Sequence, residues 1–135
     1  MTEESMNRAG TGVLLLIFLA LAIGILANIR RHPQPLAEQP VAEADPVRAP
    51  AAIAKYGCGS CHQIPRIAGA DGRVGPALAN LSRRSMLAGQ LPNNPENLVL
   101  WIEHPQLVRP GSDMPELNVS DADARDIAAY LYSLH

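Results

Sequence analysis

Cys58-Gly59-Ser60-Cys61-His62 is the stretch on which the reading of this chain turns. On a helix, residues three and four apart share a face. Cys58 and Cys61 can therefore reach two vinyl groups on one side of a porphyrin while His62 points at the iron. C-x-x-C-H is the attachment pattern of a c-type haem. These are the only two cysteines among 135 residues, so none remains for a second cofactor or a disulfide framework. Two other readings use the same residues. A thioredoxin-like dithiol needs a βαβ setting, and the sequence has almost no strand-like alternation. A structural zinc site needs four Cys or His ligands, which would have to be gathered from scattered histidines.

Outward from the motif, the chain reads as one small domain with appendages. A net charge of -2, with no block of like charge, gives no sign of a nucleic-acid partner. Hydrophobicity is concentrated at the front. Gly10 to Ile29 is twenty residues without a charge; at ~1.5 Å per residue that is roughly 30 Å, about the thickness of a bilayer's hydrocarbon core. A secretory signal has a shorter apolar region and a small-x-small cleavage site, whereas Ile25 stands where a small residue would be expected. The stretch is expected to be a permanent transmembrane anchor at 10–29, preceded by a tail at 1–9. Arg8 lies before it and Arg30 and Arg31 after it, so the positive-inside tally weakly favours an inside C-terminal domain. Ala20 and Gly24 form a small-xxx-small face, with Asn28 one step further on; it suits either a neighbouring helix or plain lipid.

Residues 30–50 are expected to be a linker. His32 to Pro50 contains five prolines among Ala, Glu and Gln. Each lacks a backbone N–H and pushes its predecessor toward extended conformations. At ~3.1 Å per residue such a stretch could reach roughly 60 Å, either as a stalk that concentrates the domain near a partner or as a passive spacer.

The rest, 51–135, is expected to be a small all-α domain built around one covalent haem, which enlarges an otherwise marginal core. Ala51 to Tyr56 reads as a short helix running into the motif. Asn94 caps a second helix with proline at its first position, and Pro105 stops it after His104. Ser120 to Asp123 resembles a capping box with Asp in place of Glu. The helix it opens presents Ala124, Ile127, Ala128, Leu131 and Leu134 at helical spacing. Met114 is the best sixth ligand to iron. Pro115 holds it in an extended conformation, and a thioether raises the reduction potential relative to bis-His ligation. Met86, in an SRRSMLAG segment that looks helical, suits pocket filling. His104, at a helix end, can simply complement the dipole. His32 and His135 are expected to be unliganded.

The order Cys58-x-x-Cys61-His62, then Gly75-Pro76-Ala77-Leu78, then Met114-Pro115, then a helix ending Ala129-Tyr130-Leu131, resembles a class I cytochrome c. The stretch Leu81 to Leu117 looks particularly like the cytochrome c domain fused to subunit II of caa3-type oxidases. This similarity covers 51–135 and leaves the anchor and linker unexplained. It implies a class I cytochrome c fold in which Cys58 and Cys61 form thioethers, His62 is the proximal ligand and the Pro76 carbonyl accepts the His62 N–H, fixing the ring. Spacing alone makes Trp101 a core residue of the Asn94–His104 helix; the resemblance implies that it lies against the haem with its N–H near a propionate. In the oxidase subunit a copper-binding domain precedes the haem domain; this chain has none, so an oxidase role would be delivery of electrons. Haem attachment in bacterial c-type cytochromes occurs outside the cytoplasmic membrane, which overrides a one-arginine bias in the anchor's flanks.

Arg73 and Arg109 flank the ligand loops and could pair with propionates, although solvated surface is the more common fate of either; Arg83 and Arg84 could contribute to a docking rim, although adjacent arginines are more often just exposed. Over 51–135, seven Lys and Arg against eight Asp and Glu argue against strong electrostatic steering. The expected function is single-electron transfer by a membrane-anchored monohaem carrier in a respiratory chain, rather than catalysis. Its expected partners are a quinol-oxidising complex or dehydrogenase and a terminal oxidase, within a membrane complex. The expected location is the bacterial cytoplasmic membrane, single-pass, with the haem domain on the periplasmic face. A haem enzyme or gas sensor with a displaceable Met114 is the second reading, and a haem-free tethered dithiol the third.

Overall fold

In a computed structural model of the protein, the structure describes residues 3–30 and 40–134. The chain divides into two units, Met1–Gln34 and Pro35–His135. The first is a single helix, α1 (Glu3–Arg30). It takes in most of the expected N-terminal tail, because residues 3–9 carry good helix formers such as Glu, Met and Ala and nothing that breaks the ladder. Large side chains from Val13 to Leu26 are each more than half exposed, and seven of them, Val13 to Leu19, are consecutive, so over 13–26 the helix is apolar on every face. Among the described residues no helix is long and apolar enough to cross a membrane. The side chains of 10–12 and 28–29, which complete the expected span, lie outside the described residues. A methyl group added at Gly24 would meet nothing within 4 Å, so the Ala20/Gly24 face is open.

Among the described residues, the second unit holds four α-helices and one hairpin: α2 (Ala49–Lys55), β1 (Met86–Leu87), β2 (Leu91–Pro92), α3 (Pro95–Glu103), α4 (Pro105–Val108) and α5 (Asp121–Tyr132). Residues 31–39 of the expected linker, with His32, lie outside the described residues, as does His135. Its end does not stay a linker. Val41 packs against the core, Ala49 is fully buried, and α2 starts at Ala49 rather than Ala51. Pro50 is no obstacle, because it stands in the first turn, where its missing N–H would have no partner in any case.

The capping signals hold. The Asn94 side chain accepts the Asn97 N–H at 2.8 Å and the Ser120 hydroxyl accepts that of Asp123 at 3.3 Å. α5 lies against both α2 and α3. Its stripe of Ala124, Ile127, Ala128, Leu131 and, just beyond, Leu134 is buried against Ile53, Leu98, Val99 and Ile102. Each Ile, Leu or Val among them, fully removed from water, contributes about 1.5–3 kcal/mol. A charged side chain also lies within the core: Asp126 on α5 is only 2 % exposed.

The expected all-α reading is corrected between α2 and α3. SRRSMLAG is not a helix: a 3-10 turn at Leu81–Arg83 leads into β1, which pairs antiparallel with β2 in the register Met86↔Pro92 and Leu87↔Leu91. Three residues, Ala88 to Gln90, connect the strands; Ala88 and Gly89 both have positive φ (50° and 69°), and the Gln90 N–H closes the turn on the Leu87 carbonyl at 2.9 Å. Buried Asn93 fixes the segment from behind. Its amide donates to the carbonyls of Leu81 and Arg84 at 2.8 and 2.7 Å, and its oxygen accepts the Tyr132 hydroxyl at 2.7 Å. Met86 therefore stands on a strand with 44 % of its surface exposed, and does not fill a pocket in the protein core.

Candidate functional site

α2 does not run into the motif. Gly57, at φ 67°, breaks the helix in the left-handed region that glycine tolerates, and Cys58–Ser60 forms a 3-10 turn. Both the Cys61 and His62 N–H groups donate to the Cys58 carbonyl, at 3.3 and 3.0 Å. The two cysteines and the histidine thus share one tight turn, even though the regular helix invoked for their spacing is absent. Both thiols are free and half-buried, and burial pushes the Cys58 thiol up. A nucleophilic dithiol requires the opposite shift.

A strap at 72–78 runs beside this turn. Gly72 N–H donates to Gly59 O at 3.0 Å, Gly75 N–H to Cys61 O at 2.8 Å and Leu78 N–H to Gln63 O at 2.8 Å. Two glycines permit the approach. A Cβ at Gly72 would stand 2.6 Å from the Cys61 carbonyl carbon, and one at Gly75 would stand 2.6 Å from His62 Nδ1. The strap delivers the Pro76 carbonyl to 2.8 Å from His62 Nδ1. A carbonyl can only accept, so Nδ1 carries the proton and Nε2 keeps its lone pair. That is the tautomer an iron ligand needs. Arg84 donates to Ala77 O in the same strap, so it supports the Gly-Pro-Ala-Leu turn rather than standing free in a docking rim with Arg83. Arg109 reaches Ala88 O of the hairpin turn at 3.4 Å. Arg73 is exposed.

The Met114 segment follows α4. Met114 is half-buried. The Gln106 amide donates to the carbonyls of Ser112 and Met114, both at 2.7 Å, and accepts the Gly111 N–H at 3.0 Å. Glu116 accepts the Gln106 backbone N–H at 3.0 Å and faces His104 at 3.8 Å. Trp101 is half-buried on α3 and packs against the core. Among the described residues no cluster of three His, Cys, Asp or Glu could hold a metal ion, which removes the zinc reading there.

The family model described as cytochrome c matches residues 47–135. The chain belongs to the cytochrome c family. It is 40 % identical over 78 residues to cytochrome c oxidase subunit 2 of Alkalihalophilus pseudofirmus, a match covering 57 % of this chain and 22 % of that one. Against cytochrome c oxidase subunit 2 of Bacillus sp. strain PS3 it is 33 % identical over 104 residues, covering 73 % and 29 %. The chain thus spans less than a third of the length of these relatives. No solved structure matches it significantly.

Membership of the cytochrome c family implies haem c, and the residues of this cytochrome c fit it. Two unpaired thiols share a turn with an imidazole whose Nε2 is free to bind a metal, and Gly75 leaves that ring the room a side chain would fill. Cys58, Cys61 and His62 could hold the group. Sequence reading missed Gln106, Asn93 and Glu116. Polar residues in ordinary helix and loop positions carry no local pattern that marks them as clamps on a distant backbone.

Proposed function

We propose that this cytochrome c carries one haem, bound by thioethers to Cys58 and Cys61 with His62 and Met114 as axial ligands, and transfers single electrons in a respiratory chain. The carrying observation is the 2.8 Å contact of His62 Nδ1 with the Pro76 carbonyl. It fixes the ring's orientation and tautomer before any metal arrives and raises its basicity as a ligand. When bound, the haem supplies one-electron chemistry at iron. The protein's share is to hold two strong ligands so that neither moves between oxidation states, and to leave no open coordination position for a substrate. That makes the chain a carrier or non-catalytic subunit rather than an enzyme. Trp101, half-buried on α3, is assigned to the haem wall.

Residues 10–29 anchor the protein in the bacterial cytoplasmic membrane in a single pass, with the haem domain on the periplasmic face. Twenty uncharged residues in the sequence and a helix apolar on all faces support this, since such a helix is stable only when covered by lipid or other helices. The oxidase-subunit relatives support a partnership with a terminal oxidase, supplied by a quinol-oxidising complex or dehydrogenase. The proposed role toward that oxidase is delivery of electrons.

The test is an oxidised-minus-reduced spectrum of the detergent-extracted full-length protein from cells that mature c-type cytochromes. A c-type α band together with the weak sulfur-to-ferric-iron charge-transfer band in the red to near infrared is expected. A c-type spectrum without the sulfur band, with rapid CO binding by the reduced protein, would replace the carrier by a sensor or enzyme. Absence of haem absorbance would overturn the reading altogether. Release of the protein from membranes by alkaline carbonate would overturn the anchor alone.

A further inference from the structure

We propose that Gln106 is the positioning residue for Met114 as an iron ligand; the proposal rests on the axial-ligand assignment above. Residues 109–114 form no helix or strand, and an irregular loop has little of its own to hold a thioether at a fixed place. Gln106 supplies what the loop lacks. Its two amide hydrogens go to Ser112 O and Met114 O at 2.7 Å each, and its oxygen takes the Gly111 N–H at 3.0 Å. One side chain therefore grips three backbone groups on either side of the turn at Gly111 (φ 78°). All its hydrogen-bonding capacity except one lone pair is used on the loop. The Met114 N–H adds a bond to Ser112 Oγ at 3.2 Å, closing the loop on itself.

The clamp stands on a firm base. Gln106 is the second residue of α4, whose first residue, Pro105, is buried to less than 2 % exposure. α4 packs on α3, and the Gln106 N–H, an orphan of the helix's first turn, is taken up by Glu116 at 3.0 Å. Glu116 lies just beyond Met114, so the same helix turn holds the ligand loop on both sides of the methionine. A merely structural loop could be held anywhere along its length. Here one bond lands on the carbonyl of the proposed ligand itself, and the other two fix the residues just before it.

The experiment uses the full-length, haem-loaded protein in detergent and compares it with Gln106→Leu and the milder Gln106→Asn, whose amide is one methylene too short to reach all three groups. Two quantities are read: the ferric sulfur-to-iron charge-transfer band from pH 6 to 10, and the CO association rate of the ferrous protein. Far-UV circular dichroism monitors folding. In Gln106→Leu, with three bonds removed, CO association is expected to rise roughly 10- to 100-fold, and the band to disappear at lower pH than in the unsubstituted protein. Gln106→Asn is expected to move both quantities the same way by less. A folded Gln106→Leu with unchanged band and CO rate overturns the proposal while leaving Met114 ligation intact. Should Gln106→Leu not fold, the same result in Gln106→Asn overturns it. Absence of the band from the unsubstituted protein overturns the Met114 assignment, and this inference with it.

Discussion

Arg48 and Asp126, 78 residues apart in the chain, are joined by two hydrogen bonds, Nε to Oδ2 at 2.7 Å and Nη2 to Oδ1 at 3.0 Å. Oδ1 also accepts the Asp45 N–H, at 2.6 Å. The carboxylate is 2 % exposed and would be costly to bury alone, but all three donors satisfy it. The consequence is that the approach to α2 is fastened to the middle of α5. The guanidinium, the largest influence, holds the Asp126 carboxyl below the usual carboxylate range. Asp126→Ala removes the acceptor for all three and is expected to destabilise the domain by about 2 kcal/mol. Urea unfolding would measure this, with faster proteolysis around residues 40–48 as the local sign; an unchanged midpoint would show that the fastening contributes nothing.

Asp123 gives the domain a pH dependence of known sign. Lys55 first, then the Tyr56 hydroxyl, lower its carboxyl from 3.8 to about 2, through contacts of 2.9 and 2.8 Å. Because the folded value lies below the unfolded one, the contribution is full above about pH 4 and is lost as pH falls toward 2. The thermal midpoint should fall between pH 5 and 2.5, and Asp123→Asn should flatten that slope. Equal slopes for the two proteins would contradict the assignment.

Gly75 is expected to be intolerant of any side chain. The added Cβ of alanine would lie 2.6 Å from Nδ1 and 2.9 Å from Nε2 of His62, so the ring must turn away from Pro76 O. Gly75→Ala should lower the yield of covalently bound haem per protein several-fold and shift the reduction potential of what remains. Normal yield and potential would mean that the strap gives way instead.

Buried Asn93 is the hub of the hairpin. Replacing it with alanine leaves the Tyr132 hydroxyl and the carbonyls of Leu81 and Arg84 without partners, an expected loss of about 3 kcal/mol. Equilibrium unfolding of the haem-loaded protein checks the figure, and hydrogen exchange at residues 81–93 checks that the effect is local first.

The haem motif, both helix caps and the α5 stripe were legible in the sequence because each is a short-range pattern: a spacing of three or four residues, a side chain reaching its own helix end, an apolar period. Pro76 was legible only by resemblance, since the contact with His62 crosses fourteen residues and no spacing rule predicts it. The hairpin at Met86–Pro92 was not legible. Ser, Arg, Met, Leu and Ala are good enough helix formers to look like a helix, and it took Asn93, Tyr132 and the two positive-φ residues to bend the segment otherwise. The same holds for residues 40–50, whose prolines read as a linker while Asp126 draws Asp45 and Arg48 onto the domain. By itself the sequence determined which residues could meet a haem and where α3 and α5 begin. The tertiary structure alone decided which polar side chains, Gln106, Asn93, Arg84 and Asp126, hold the intervening loops. A hydrogen bond to a distant backbone group depends on where the chain has already been placed, and no local pattern encodes that.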